Sequence, residues 1–163
     1  MNSRPAPGHP LRSRSSQLAL AALLLAAMAC QAPPPPPGPQ DIMVTASDYA
    51  FQLPDSLQAG PTVLHLNNAG KVDHEMGMAL LKPGVTLAQV MARIKAGSSP
   101  DSLLDGIVGI LIAKPGVSTL GGLSVGLLPG RTYAMFCNFQ DGPDKPPHSS
   151  LGMVTSRAIT AAP

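Results

Sequence analysis

Apolar and polar residues alternate in several short runs of this chain, and this pattern most constrains what the chain can fold into. Residues 42–47, 62–67, 76–80 and 123–127 repeat with a period of two, which is typical of half-buried strands. Turn pairs such as Gly60-Pro61 and Pro129-Gly130 separate the runs, and residues 133–137 and 153–159 add two more. Short strands between Gly/Pro turns predict an all-β Greek-key sandwich or barrel over about residues 41–163.

Residues 84–116 interrupt the strand pattern. Thr86 and Gln89 form a predicted capping box, and Gly97 is a predicted helix end. Apolar residues at helical spacing lie between them: Leu87, Val90, Met91 and Ile94. Residues 99–113 are interpreted as a second, looser helical stretch. We therefore predict a small helical insertion packed on the sandwich, with Met91 and Ile94 in a core rather than on a partner surface. We expect this insertion to be dispensable for metal binding.

The N-terminal residues 1–29 have the features of a bacterial export signal. Three Arg and no acidic residue precede an apolar run over residues 18–27, which is too short to span a membrane. Cys30 follows small residues, as in a lipid-modified bacterial lipoprotein, although simple secretion is the alternative. Residues 30–40 contain five consecutive Pro and predict a semi-rigid tether. We expect an exported protein, periplasmic or at the cell surface, anchored to the membrane through a lipid on Cys30.

Composition excludes some classes of function. From residue 30 onward there are eight basic and nine acidic residues, and aromatic residues make up 3% of the 163-residue chain. A nucleic-acid site needs a basic face and stacking aromatics, so we expect no nucleic-acid partner. No Ser/His/Asp set, carboxylate pair or phosphate loop has a convincing spacing, so we expect no enzymatic activity.

Four residues have the chemistry of a copper site. Cys137 is the only Cys besides Cys30, and His148 and Met153 follow it in the next turn, while His74 comes at the end of an earlier strand. A thiolate, two imidazoles and a thioether hold copper in both oxidation states, and two His, one Cys and a long axial Met form the electron-transfer arrangement.

Three segments in this order resemble the cupredoxin family, and the plastocyanins most closely. They are Asn-Asn-Ala-Gly at 67–70 followed by His74, Tyr-Ala-Met-Phe-Cys at 133–137, and Pro-His-Ser-Ser-Leu-Gly-Met-Val at 147–154. The resemblance implies one type 1 copper, with His74, Cys137 and His148 as equatorial ligands and Met153 as axial ligand. It implies a single-electron carrier whose electron port is the exposed edge of His148, ringed by Pro146, Pro147 and Leu151. The redox partner is not specified.

The chain departs from plastocyanin at three places. Ten residues separate Cys137 from His148, which makes this loop longer, and the helical insertion is additional. Glu75 replaces an Asn beside the first His. Glu75 is either a solvated edge charge, an acceptor that orients His74, or a competing ligand.

Other functions remain open at this stage. One is copper delivery or storage, in which Met76 and Met78 would help to bind Cu(I). Another is a metal-free binding module that keeps the fold. His65 is interpreted as a solvated bystander, and Asp141 and Asp144 as turn residues.

Overall fold

The computed structural model describes residues 38–162 of the chain. The predicted export signal, Cys30 and most of the Pro-rich tether lie outside these residues. Among the helices of the described part, none has the length and apolar character needed to cross a membrane.

Nine strands and one α-helix make up the described part of the chain. The strands are β1 (Gln40–Ser47), β2 (Ala50–Gln52), β3 (Leu57–Gln58), β4 (Gly60–Asn68), β5 (His74–Leu81), β6 (Leu104–Ala113), β7 (Leu123–Leu127), β8 (Thr132–Phe136) and β9 (Val154–Thr160). The helix α1 is Leu87–Lys95, and two 3₁₀ turns cover Asp101–Leu103 and His148–Leu151.

The strands form two sheets, as the alternation predicts. One sheet has the order β2-β1-β4-β7 and the other the order β3-β9-β8-β5-β6. Strands β1 and β4 pair in parallel, as do β3 and β9, and the other pairs are antiparallel. These two sheets confirm the all-β sandwich that the sequence predicts.

The core lies between the two sheets. Val44, Leu64 and Leu66 of the first sheet and Met76 and Met78 of the second have no exposed surface and belong to one apolar cluster. These residues occupy the apolar positions of the period-two runs, so the alternation identified the buried face correctly. The same inward face of β5 carries His74, two residues before Met76.

The first half of the predicted insertion is confirmed. The Thr86 hydroxyl accepts from the Gln89 N–H (3.3 Å), and the Gln89 side chain accepts from the Thr86 N–H (2.8 Å). The helix stops before Gly97, which has a φ of +67°. Val90 is buried against Leu81 and Ala134, with Ile94 beside it, on the outer face of the five-stranded sheet. Met91 is half-buried and lies outside this cluster, so its predicted core position is wrong.

The second half of the predicted insertion is wrong. Residues 104–113 form β6, which pairs antiparallel with β5 from His74↔Ala113 to Leu81↔Leu104. Only Asp101–Leu103 is helical. Gly106 and Gly109 weaken a helix, and the β-branched residues between and after them favour a strand that β5 can pair. Excision of residues 84–116 would therefore remove a strand of the sheet as well as the helix.

Candidate metal centre

Three buried side chains meet at one end of the sandwich. His74 begins β5, Cys137 directly follows β8, and His148 begins the 3₁₀ turn before β9. Cys137 Sγ lies 3.9 Å from Nδ1 of His74 and 3.4 Å from Nδ1 of His148. One ligand atom from each residue lies within 4.8 Å of the other two. The sequence therefore identified three residues that the fold brings together.

The spacing of these atoms suits a shared metal ion. Two donors bound to one ion at metal–sulfur and metal–nitrogen distances of about 2.3 and 2.0 Å lie roughly 3.5 Å apart. The two sulfur–nitrogen distances, 3.9 and 3.4 Å, lie on either side of this value. Both imidazoles present the same nitrogen, Nδ1, to the sulfur. The donor set and its spacing therefore fit a metal bound by two His and one Cys.

Backbone groups hold the thiol in place. The Glu75 N–H donates to Cys137 Sγ at 3.4 Å. The Cys137 N–H donates to the carbonyl of Met153 (3.2 Å), and its own carbonyl accepts from Ser149 (2.7 Å). Burial raises the pKa of the Cys137 thiol, and the N–H groups of Glu75 and Phe139 oppose that rise. A metal ion must therefore displace the thiol proton on binding.

Asn68 organises the loop before His74. Its amide donates to the carbonyls of Val72 (2.8 Å) and Ala113 (2.9 Å), and its carbonyl accepts from the Gly70 N–H (2.8 Å). The residue has no exposed surface, so these bonds satisfy a polar side chain that burial would otherwise penalise. Gly70 then passes so close to the His74 ring that an added Cβ would lie 2.8 Å from Nε2.

His148 is held in a closed loop. Its N–H donates to the carbonyl of Phe139 (2.8 Å), and its carbonyl accepts from the Met153 N–H (3.0 Å). Gly152 ends the 3₁₀ turn with a φ of +112°, a conformation that an L-residue rarely adopts. This turn brings Met153 back towards Cys137 and buries it completely. Its role as axial ligand stays a prediction.

Each histidine of the cluster also contacts a carboxylate. Nε2 of His74 lies 3.2 Å from Asp48 Oδ1, and Nε2 of His148 lies 2.9 Å from Asp141 Oδ1. The Tyr49 hydroxyl donates to Asp141 Oδ2 at 2.5 Å. Because an ionised carboxylate can only accept, we assign the proton to Nε2 of both rings, which leaves the Nδ1 lone pairs facing Cys137.

Electrostatics favour this assignment. Burial lowers the pKa of His74 and so favours the neutral ring that a metal needs, although the bond to Asp48 opposes the shift. Bonds from Tyr49 and His148 lower the pKa of Asp141, and the bond from the Lys71 N–H lowers that of Asp48. Both carboxylates are therefore ionised at neutral pH.

The predicted exposed edge of His148 is wrong. Only 1% of the residue is accessible to solvent. The Tyr49 ring lies over it, with centroids 4.8 Å apart and planes inclined at 60°, and Asp141 bonds to its outer nitrogen. The long loop between Cys137 and His148 explains the difference, because it carries Asp141 back over the ring.

The structure also decides the interpretations of Glu75 and His65. Glu75 is 8% exposed, so the solvated-edge interpretation is wrong. Its carboxylate accepts from the Asn138 N–H at 2.9 Å rather than from His74, and it thereby fixes the backbone just after Cys137. His65 lies outside the cluster and pairs with Asp41 at 3.0 Å.

Sequence reasoning missed Asp48, Tyr49 and Asp141. Asp48 and Tyr49 form the turn between β1 and β2, and nothing in their spacing relates them to the ligands. Asp141 was interpreted as a turn residue only. The unusual length of its loop was the one available signal that this segment does more than connect Cys137 to His148.

Comparisons with known proteins give a distant structural likeness. No family model matches the chain, and no curated protein matches it. Among solved structures, the chain is similar to dithionite-reduced auracyanin from Roseiflexus castenholzii, with a TM-score of 0.47 and 18% identity over 77% of this chain and 100% of that one. It is also similar to auracyanin B, with a TM-score of 0.45 and 22% identity over 78% and 93%.

A third similar structure is auracyanin A, described as a "blue" copper protein from Chloroflexus aurantiacus. Its TM-score is 0.44, at 18% identity over 77% of this chain and 100% of that one. These low identities and TM-scores leave the chemistry of the present site to be inferred from its own residues. The two-sheet sandwich and the His74, Cys137 and His148 cluster are those that the resemblance to the cupredoxins implies.

Proposed function

We propose that this chain is a one-electron carrier with a mononuclear type 1 copper centre. His74, Cys137 and His148 are the equatorial ligands and Met153 is the axial ligand. The observation that carries the proposal is the buried thiol at which two imidazoles aim the same nitrogen, Nδ1. Copper bound there would supply one-electron oxidation and reduction, and this donor set is the electron-transfer type.

The way the ligands are held supports electron transfer. Cys137, His148 and Met153 are tied to one another through their backbones, and each imidazole is bonded on the side away from the sulfur. Side chains held this firmly keep one geometry in both oxidation states. Little then has to rearrange when an electron enters or leaves.

Burial favours a carrier over copper delivery or storage. A delivery protein must hand the ion to a partner, which requires ligands that a partner can reach. Here His74, Cys137 and His148 are at most 1% exposed. Met76 and Met78, the residues that delivery would use, lie in the apolar core between the sheets. The enclosed ligands likewise offer no approach for a substrate, so we propose no enzymatic role.

Export and tethering belong to the same proposal. We propose that residues 1–29 are removed on export and that Cys30 receives the lipid, with the Pro-rich tether of residues 30–40 as spacer. Replacement of Cys30 by Ser should abolish lipid labelling and release the protein from the detergent phase. A mature protein found soluble with an unmodified Cys30 would leave simple secretion in its place.

The copper proposal is tested by metal analysis and visible spectroscopy. The purified protein should bind one Cu(II) per chain and show an intense visible band, which arises from a short Cu(II)–thiolate bond. Cys137→Ser should remove the band completely, whereas His65→Ala, a histidine outside the cluster, should leave it unchanged. A folded wild type that binds Cu(II) without an intense band overturns the proposal, as does a Cys137→Ser variant that keeps it.

Met153 is tested by a different response. Because an axial thioether bond to copper is long and weak, Met153→Leu should keep the visible band and raise the reduction potential. Loss of the band in this variant would contradict an axial role. An unchanged potential would exclude Met153 from the copper ligands.

A further inference from the structure

Both ligand histidines are backed by a carboxylate in the same way. Asp48 Oδ1 lies 3.2 Å from Nε2 of His74, and Asp141 Oδ1 lies 2.9 Å from Nε2 of His148. The two carboxylates come from different parts of the chain, the β1–β2 turn and the loop after Cys137. Two unrelated segments therefore make the same contact with the outer nitrogen of a cluster histidine.

The bonds decide which nitrogen of each ring is free. An imidazole that donates from Nε2 to a carboxylate is held in one tautomer and one orientation, with its Nδ1 lone pair available to a metal. The two rings are inclined to each other at 69° with centroids 5.1 Å apart, so neither can stack flat on the other. Their orientation therefore has to come from other contacts, of which the carboxylate bonds are the directional ones.

Each carboxylate is itself fixed. Asp48 Oδ1 also accepts from the Lys71 N–H at 2.9 Å. Asp141 uses its other oxygen, Oδ2, to accept from the Tyr49 hydroxyl, while the Tyr49 ring covers His148. A carboxylate held at both oxygens cannot swing away when the ring moves, so Tyr49 completes the support of His148.

We propose that Asp48 and Asp141 are positioning residues of the metal centre, which aim Nδ1 of His74 and His148 at the ion and favour its more oxidised state. The second effect follows from charge, because two carboxylates stabilise Cu(II) more than Cu(I). This inference rests on the proposed function only for the potential. The positioning itself applies to any ion that the three ligands bind.

The chain offers variants that separate orientation from charge. Asp→Asn keeps an acceptor oxygen and removes the charge, while Asp→Ala removes both. Tyr49→Phe keeps the ring over His148 and removes only the donor to Asp141. Asp144→Asn and Asp144→Ala serve as controls, because Asp144 is an exposed carboxylate of the same loop. Asp41→Ala is a second control, since it breaks a carboxylate–imidazole pair of similar distance, at the more exposed His65.

Three measurements test the proposal. ¹⁵N NMR of the metal-free protein reports the tautomers of His74 and His148, titration with Zn(II) reports affinity without redox chemistry, and voltammetry of the copper form reports the potential. We expect Asp48→Ala and Asp141→Ala to lose the single Nε2–H tautomer and to bind Zn(II) about 10- to 100-fold more weakly. Asp→Asn should keep the tautomer but raise the reduction potential, because the protein then favours Cu(I) more. Each ten-fold change in the ratio of the Cu(II) and Cu(I) affinities shifts the potential by about 59 mV.

The outcomes separate this inference from the proposed function. The positioning role is overturned if Asp48→Ala and Asp141→Ala keep the single Nε2–H tautomer and bind Zn(II) as tightly as Asp144→Ala. The charge effect is overturned if Asp48→Asn and Asp141→Asn have the same reduction potential as Asp144→Asn. If Asp141→Ala does not fold, Tyr49→Phe decides the role of Asp141 by a smaller loss in the same direction; if Asp48→Ala does not fold, Gly70→Ala, whose added Cβ would collide with Asp48 Oδ1, decides the role of Asp48 by the same measurements. A wild type without a visible copper band defeats the proposed function alone, because tautomers and Zn(II) binding still decide the positioning.

Discussion

The middle of the sandwich and the His74, Cys137 and His148 cluster at its metal end are both buried but are held together differently. In the middle, Val44, Leu64, Met76 and Met78 pack with no exposed surface and no directional bonds of their side chains. The metal end comprises Asp48, Tyr49, Asn68, His74, Cys137, Asp141 and His148. Within the described residues, every buried side-chain nitrogen and oxygen has a hydrogen-bond partner.

The difference teaches where each kind of mutation acts. Apolar burial is non-directional and tolerates side chains of similar volume, so changes in the middle alter stability. A hydrogen-bonded network depends on individual atoms, so changes at the metal end alter ring orientation and metal affinity. Mutations in the middle should therefore change mainly the free energy of unfolding, whereas mutations at the metal end should change mainly the metal affinity.

The largest expected effect is a cavity in the middle. Leu64→Ala should lower the free energy of unfolding by about 2–5 kcal/mol, measured by urea denaturation of the metal-free protein. The folded variant should bind copper as tightly as the wild type. Leu64→Met, which conserves volume, should cost less than about 1.5 kcal/mol. A folded Leu64→Ala protein with weakened metal binding would contradict the separation of the two regions.

At the metal end, Asn68→Ala should affect both properties. Loss of the Asn68 amide leaves the buried carbonyl of Ala113 without this donor and should lower the free energy of unfolding by about 1–3 kcal/mol. The loop before His74 also loses its anchor at Gly70, so copper affinity should fall as well. The matched control is Asn67→Ala, whose side chain only accepts from Ser118 at the surface. Equal copper affinity in the two variants would exclude Asn68 from the support of His74.

The same contrast explains what could be predicted from sequence. Alternation identified β1, β4, β5 and β7 and the inward positions of the middle, because a period of two follows from strand geometry itself. The His74, Cys137 and His148 cluster was predicted because these residue types and their order along the chain carry the chemistry. Their roles as copper ligands, and that of Met153, are part of the proposed function.

The contacts that support His74 and His148 could not be predicted from the sequence. Asp48 and Tyr49 reach the histidines from a turn that is distant along the chain, and Asp141 does so from within the Cys137–His148 loop; no periodicity governs such segments. The exposed edge of His148 was predicted wrongly for this reason. The strand β6 was missed because pairing with β5 decided the conformation of a segment whose local pattern was ambiguous.

Gly70→Ala tests whether the close approach of Gly70 to His74 supports metal binding. An added Cβ would collide with Asp48 Oδ1 and lie 2.8 Å from His74 Nε2. The carboxylate and the ring must then separate, so copper affinity should fall, with a loss of stability of about 1–3 kcal/mol. Gly121→Ala, at a position with nothing within 4 Å, should change neither. Isothermal titration of both variants with Cu(II) checks this, and equal affinities would mean that the loop adapts without moving His74.

The Cys137 thiol predicts a pH dependence that the apolar middle lacks. Burial raises its pKa above the ordinary value of 9.0, so the unfolded chain loses this proton at lower pH than the folded protein. The stability of the metal-free protein should therefore fall as pH rises above 9.0, by at most about 1.4 kcal/mol per pH unit. Urea unfolding of wild type and Cys137→Ala across this range checks it. The slope due to the thiol should be missing in the variant, and parallel curves would contradict the prediction.

The smallest expected effect lies at the Thr86 cap of α1, a helix that packs on the outer face of the five-stranded sheet and beside the 3₁₀ turn His148–Leu151. Thr86→Ala removes the side chain that accepts from the Gln89 N–H and should cost about 1 kcal/mol. Thr86→Ser keeps the acceptor oxygen and should cost less. Because the cap contacts neither the ligands nor the carboxylates behind them, the visible spectrum and the potential of the copper protein should not change in either variant. A shift of the potential in Thr86→Ala alone would mean that the helix and the metal end are coupled, through the sheet or through the His148–Leu151 turn beside the helix, and the two regions would then not respond independently.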